Sequence, residues 1–214
     1  MNFFSYDSKF SQILLKICYS CYLNLLWFLC CLPIFTIGAS TAALYDVTLR
    51  IVREDDAALT SRFFKAFRNN FRQATVLWLI LLAIGSLLAA DGYILYHLYR
   101  SATGSMSVIW TLMLALIIAS AIVYVIVLLY VFPLTASVQN TNWAMLKNAL
   151  FIGFRYLFCT ILVFAIHFAM FFAVVAIFTP LIIFGEGLCA LLSSYLLSNV
   201  IRACSYDPSA EETA

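Results

Sequence analysis

Apolar residues run through this chain in long unbroken stretches, without the strict alternation of a half-buried strand. A helix that crosses a bilayer needs about 20 mostly apolar residues. Five stretches reach that length and predict spans at roughly 13–37, 75–99, 106–132, 157–178 and 180–202. Pro133 is expected to close the third span, because it cannot continue a helix without losing a hydrogen bond. Thr179, Pro180 and the Gly185-Glu186-Gly187 triplet divide the last apolar block into two spans. Open sheet edges cannot face lipid, and barrel strands would show dyad alternation. The expected fold class is therefore all-α: a polytopic membrane protein with a bundle of five transmembrane helices. Residues 1–204 form one transmembrane domain, and 205–214 a short, acidic, disordered tail. The N-terminal residues lead into the first apolar run without a small-residue cleavage site, so that run is expected to be retained.

Between spans one and two the pattern changes. Residues 60–73 read T-S-R-F-F-K-A-F-R-N-N-F-R-Q. On a helix, Phe63, Phe64, Phe67 and Phe71 share a sector about 100° wide. Arg62, Lys65, Arg68 and Arg72 fill the adjoining sector. Thr60 or Ser61 suits an N-cap, with Glu54, Asp55 and Asp56 just upstream. This predicts a cytoplasmic interfacial amphipathic helix, its aromatics in the acyl boundary and its cations toward anionic headgroups. Packing on the inner ends of the bundle explains the same pattern, and a docking surface for a cytoplasmic partner is a third reading. Residues 133–156 look like a shorter version of this loop. Pro33-Ile-Phe-Thr36 resembles Pro133-Leu-Thr135, and Arg68-Asn69 resembles Lys147-Asn148, which suggests a parallel repeat of spans one and two in three and four.

Charge sets the direction of the spans. Lys and Arg accumulate on the cytoplasmic side of a membrane. The first connection holds Arg50, Arg53, Arg62, Lys65, Arg68 and Arg72; the third holds Lys147 and Arg155. With five spans this predicts the N-terminus outside and the C-terminus cytoplasmic, although Lys9 and Lys16 oppose it. The chain is 65% hydrophobic and 10% charged, against about 45–50% and 25% in soluble domains. Lipid replaces water as the outer solvent. The net charge of +2 implies no attraction to nucleic acid.

Few residues bear chemistry. Asp91, His167 and Glu186 are ionisable groups within spans, where such groups are costly and usually face the bundle interior. Together they can line an outward-facing polar cavity for a solute or a proton. Equally, Asp91 and Glu186 can sit in the outer headgroup region while His167 bonds a neighbouring helix. Ala165, Ala169 and Ala173, Ala190, Ser194 and Ser198, and Gly85 with Ala89 form small-residue ridges that favour close helix packing. Spans four and five are expected to meet through the first two ridges. Asp46 and Arg50, four apart, can pair on one helix face. The pair Cys18 and Cys21 has no second pair and no nearby His, so packing is expected and no metal or cofactor. No phosphate loop, zinc-protease motif or nucleophile elbow is present, and no enzyme activity is expected.

The segment Asn24-Leu-Leu-Trp-Phe-Leu-Cys-Cys-Leu-Pro-Ile-Phe-Thr-Ile-Gly-Ala-Ser-Thr-Ala-Ala-Leu-Tyr45 resembles the YesL family of bacterial integral membrane proteins. A second segment, Phe63-Phe64-Lys65-Ala66-Phe67-Arg68-Asn69-Asn70-Phe71-Arg72-Gln73-Ala74, resembles that family in the same order and spacing. The resemblance implies a bacterial cell membrane and an association with carbohydrate uptake, with a carbohydrate transporter complex as partner. It carries no catalytic residues. The leading expectation is a non-enzymatic accessory or partner-binding component; the alternative is a small solute transporter.

Overall fold

The computed structural model describes residues 9–53, 58–101, 106–176 and 182–205. These form seven α-helices and one 3-10 turn: α1 Lys9–Cys30, the turn Ile34–Thr36, α2 Ile37–Val52, α3 Leu59–Ser101, α4 Met106–Ser137, α5 Asn142–Arg155, α6 Leu157–Ala176 and α7 Ile182–Ser205. No strand occurs among the described residues. Four helices, α1, α3, α4 and α6, are long and apolar enough to cross a membrane. The fifth expected span, α7, is not among them. It carries Glu186, Ser193, Ser194, Asn199 and Arg202, and its neighbours shield much of it from lipid. Glu54, Asp55, Asp56, Thr179, Pro180 and the tail beyond Ser205 lie outside the described residues.

The first span does not run to residue 37. It ends at Cys30, and the chain reverses through Pro33 and the 3-10 turn. The Thr36 hydroxyl donates toward the carbonyls of Cys30 and Pro33, at 2.6 Å each, satisfying backbone groups freed at the turn. The chain then enters α2, which sequence reading had treated as loop. Eleven of its 16 residues are buried. Small residues allow this. At Gly38 an added Cβ would stand 2.5 Å from the Ala74 carbonyl oxygen and 2.6 Å from the Trp78 Cβ. Trp27 Nε1 donates to the Thr41 hydroxyl across the hairpin, 3.1 Å.

Contacts fix the directions. Lys16 Nζ on α1 donates to the Tyr195 hydroxyl on α7, 3.3 Å, and Asn24 Oδ1 accepts from the Gly187 amide, 2.6 Å. So α1 and α7 are antiparallel. Thr48 on α2 meets Ser194 on α7, 2.9 Å, while Arg50 and Arg53 share a cleft with Ser198 and Arg202, so α2 runs with α7 and against α1. The first turn of α1, the end of α2 and the end of α7 therefore share one end of the bundle, which we term the basic end.

The segment expected to be a separate interfacial helix is the start of α3. No proline or glycine occurs from Leu59 to Ile84, and one helix of 43 residues continues into the span. Its length is about 64 Å at about 1.5 Å per residue, roughly twice a hydrocarbon core of about 30 Å. Phe63 is fully buried, and Phe67 and Phe71 pack against Ala39, Ala42 and Ala74. Phe67 and Phe71 thus meet α2, while Phe64 of the same face stays exposed. Lys65, Arg68 and Arg72 remain exposed and Arg62 half-buried.

The third span also continues past its expected stop. α4 includes Pro133 and ends at Ser137. Thr135 and Ser137 donate their hydroxyls to the carbonyls of Val131 and Pro133, at 2.7 and 2.9 Å. α5 folds back along α4, capped by Thr141, whose oxygen accepts from the Ala144 amide. α5 ends at Tyr156 (φ −111°, ψ 49°) before α6 begins. The Thr160 hydroxyl at this junction bonds the Gly153 carbonyl and the Tyr130 hydroxyl, at 2.7 and 2.9 Å.

The small-residue ridges are used differently from expectation. Ala165 and Ala169 are exposed, whereas Ala190 and Ser194 are buried with Ser194 bonded to α2. α6 and α7 meet instead through Ile166 with Cys189, Met170 with Gly185, and His167 with Glu186. The third ridge is used in part: Gly85 lies against Tyr124 of α4, while Ala89 is exposed.

Candidate functional site: a buried polar seam and a basic end

Two regions hold polar side chains in an arrangement that packing alone does not require. The first lies where α1, α2, α6 and α7 meet. His167 Nδ1 stands 2.9 Å from the Val163 carbonyl one turn back on α6. A carbonyl only accepts, so Nδ1 carries a proton there. That leaves Nε2 facing the Tyr45 hydroxyl of α2 at 3.5 Å and Glu186 Oε1 of α7 at 3.9 Å. In a neutral imidazole with Nδ1 protonated, Nε2 is an acceptor. A carboxylate oxygen opposite it is also an acceptor. The Glu186 carboxylate lies beyond hydrogen-bond distance, and the Tyr45 hydroxyl is the donor that faces Nε2.

Around this group the interior is polar. Ser20, Asn24, Ser40, Thr48, Ser193 and Ser194 are all fully buried. Asn24 accepts from the Gly187 amide, and an added Cβ at Gly187 would collide with the Ser20 carbonyl oxygen. Ser40 lies beside the Cys31 thiol and Ser193 beside the Tyr45 hydroxyl, while Ser20 Oγ meets no hydrogen-bond partner among the described residues. Buried polar atoms in that state are the exception in folded proteins.

The three ionisable residues expected within spans are placed as follows. His167 and Glu186 come together, but Asp91 does not join them. It lies on α3, which packs chiefly against α2 and α4, beside Gly92 where α3 faces Ile117. Depth along a span was legible from residue count; which neighbour a span faces was not. Tyr45 was missed because α2 was read as loop. The signal for α2 was present in the small-residue run Gly38-Ala39-Ser40-Thr41-Ala42-Ala43, followed by Leu44, Val47 and Ile51 at helical spacing.

The second region is the basic end. One cleft, of about 870 Å³, lies between the ends of α2, α4 and α7 and includes Arg50, Arg53 and Arg202. A neighbouring cleft of about 390 Å³ shares Asp46 and Arg50 with it and adds Arg62 and Lys65 from α3. Arg50 Nε donates to Asp46 Oδ2 at 3.2 Å, the expected one-turn pair. Of the residues expected at a contact surface, Arg62 and Lys65 border this second cleft, Arg68 and Arg72 stand outside it on α3, and Phe63, Phe67 and Phe71 are used in packing.

A family described as "Protein of unknown function, DUF624" matches residues 21–92. The matched stretch covers the later part of α1, all of α2 and α3 as far as Gly92. Both segments that resemble the YesL family fall inside it. No curated protein and no solved structure matches the chain.

Proposed function

We propose that this chain is a YesL-like protein of a bacterial cell membrane, a non-enzymatic accessory or partner-binding component associated with carbohydrate uptake. The observation that carries this reading is the gathering of cations at one end. In the proposed topology six helices pass through the bundle: α1, α2, α3, α4, α6 and α7. α2 and α7 are sheltered by the other four and therefore tolerate polar residues. Counting α2 as a pass revises the orientation read from the sequence. The start of α1 and the end of α7 both face the cytoplasm, together with the basic α2–α3 connection. Arg50, Arg53, Arg62, Lys65 and Arg202 then line the clefts at the cytoplasmic end, in keeping with the inward bias of basic residues.

The contact surface is the exposed cationic row Lys65, Arg68 and Arg72, next to Arg62, on the outer side of the part of α3 that runs beside α2. It suits an acidic face of a carbohydrate transporter component and the anionic headgroups beside it. Charge reversal of Lys65, Arg68 and Arg72 should abolish co-purification with that transporter component while leaving the melting temperature in detergent unchanged. Undiminished co-purification rejects the reading.

A second reading, a small solute transporter, is favoured by one specific observation: His167 and Glu186, on different helices, face each other at 3.9 Å inside a polar seam. Flux in liposomes containing this protein alone supports it. Flux that survives both Glu186→Gln and His167→Ala removes those residues from the mechanism.

A further inference from the structure

We infer that the larger cleft at the basic end is a binding site for a phosphate group. The inference does not rest on the partner reading, because Lys65, Arg68 and Arg72 do not border this cleft. Arg50, Arg53 and Arg202 converge on it from α2 and α7. The carboxylate among its described lining residues is Asp46, which accepts from Arg50 Nε and so orients that guanidinium. Among the described lining residues, three guanidinium groups stand against one carboxylate. Guanidinium forks match phosphate oxygens in a bidentate fashion, and this geometry distinguishes them from simple surface charge.

The remaining polar groups suit the same ligand. Tyr195, Ser198 and Asn199 project from successive turns of α7 along the cleft wall. The Tyr195 hydroxyl, which accepts from Lys16, and the Asn199 amide supply neutral donors toward a phosphate, while the Ser198 hydroxyl donates to the Tyr195 carbonyl and offers an acceptor to a sugar or glycerol moiety. The volume of about 870 Å³ lies within the range of about 300–1,000 Å³ found for small-molecule sites. Arg62 and Lys65 in the adjoining cleft extend the positive field that would draw an anion in. The shared chemistry is a phosphate monoester or diester, from a phosphorylated sugar in solution or from the headgroup of an anionic lipid.

A simpler role must be separated from this one. Arg50, Arg53 and Arg202 lie near the C-terminal ends of α2 and α7, where cations complement the carbonyl end of a helix. The test uses the full chain in nanodiscs of phosphatidylcholine, titrated with inorganic phosphate and with glucose 6-phosphate, and compared with Arg53→Gln/Arg202→Gln. The expected result is saturable binding that weakens at least about tenfold in the double variant. If soluble phosphates do not bind but phosphatidylglycerol raises the melting temperature of the native chain and not of the variant, the source is a headgroup and the site stands. Arg68→Gln/Arg72→Gln removes equal charge outside both clefts and must retain binding; an equal loss there means diffuse attraction and overturns the site. Tyr195→Phe/Asn199→Ala keeps every charge and should weaken binding about fivefold, which covers the case in which the arginine variant fails to fold. Arginine variants that lower the melting temperature equally with and without phosphate, with no ligand bound by the native chain, also overturn it.

Discussion

Most of α2 is buried, although the helix contains Ser40, Thr41, Asp46, Thr48 and Arg50. The most apolar window of α4 has a mean hydropathy of 3.0, yet only 6% of it is buried within the protein. Leu112 and Leu116 on that helix are each 67% exposed. In water the reverse would hold, since burial and apolarity go together. Here the surroundings of α3, α4 and α6 are the apolar phase, and those helices are apolar because lipid, not protein, covers them. α2 and α7 are surrounded by protein. They are free to carry polar groups as long as other side chains or backbone satisfy them, and they pack through glycine, alanine and serine because close backbone approach is what holds helices together when lipid is the solvent.

That contrast predicts where substitutions matter. The largest effect should come from Gly38→Leu, since its Cβ already meets the Ala74 carbonyl and the Trp78 Cβ. Overpacking typically costs about 1–3 kcal/mol and more against backbone, so folded yield and melting temperature in detergent should fall sharply. Leu116→Ala, on the lipid face of α4, should leave both nearly unchanged; similar losses for the two would erase the distinction. Next in size is Asn24→Ala. It strips the acceptor from the buried Gly187 amide, at a cost of about 1–3 kcal/mol for an unsatisfied group. Tyr130→Phe removes the hydroxyl that meets Thr160 at the α5–α6 junction. Thr160 keeps its bond to the Gly153 carbonyl, so the loss should be about 1 kcal/mol. The smallest effect belongs to Arg50→Ala as a matter of stability. Its pair with Asp46 is one turn apart and partly exposed, and such pairs contribute about 0.5 kcal/mol or less.

The sequence was informative wherever the outer solvent alone decides the outcome. Lipid-facing runs marked α3, α4 and α6, and the expected starts at Met106 and Leu157 coincide with the observed helix starts. It was misleading where protein faces protein. Gly38, Ala39, Ala42 and Ala43 carry little hydropathy and so mark no span, although their smallness is what lets α2 sit between α1, α3 and α7. The aromatic face of residues 60–73 was correctly seen as one-sided, but periodicity does not say whether a helix face meets lipid or another helix. The absence of any proline or glycine from Leu59 to Ile84 was the legible sign that this segment continues into its span. Within the seam, His167 and Glu186 were recognised by their cost in a membrane. Tyr45 escaped notice because its helix did, and Asp91 was included because depth was counted without rotation about the axis.

The return of the chain through α2 organises the rest: it puts the start of α1 and the basic connection at one end. The direct test is labelling with a membrane-impermeant thiol reagent in a background whose seven native cysteines are replaced, with Ser11→Cys and Arg53→Cys introduced singly. In inside-out vesicles both positions should react, and in intact cells neither. Ser11→Cys labelled only in intact cells, with Arg53→Cys labelled only in inverted vesicles, would contradict the hairpin and restore the single long first span.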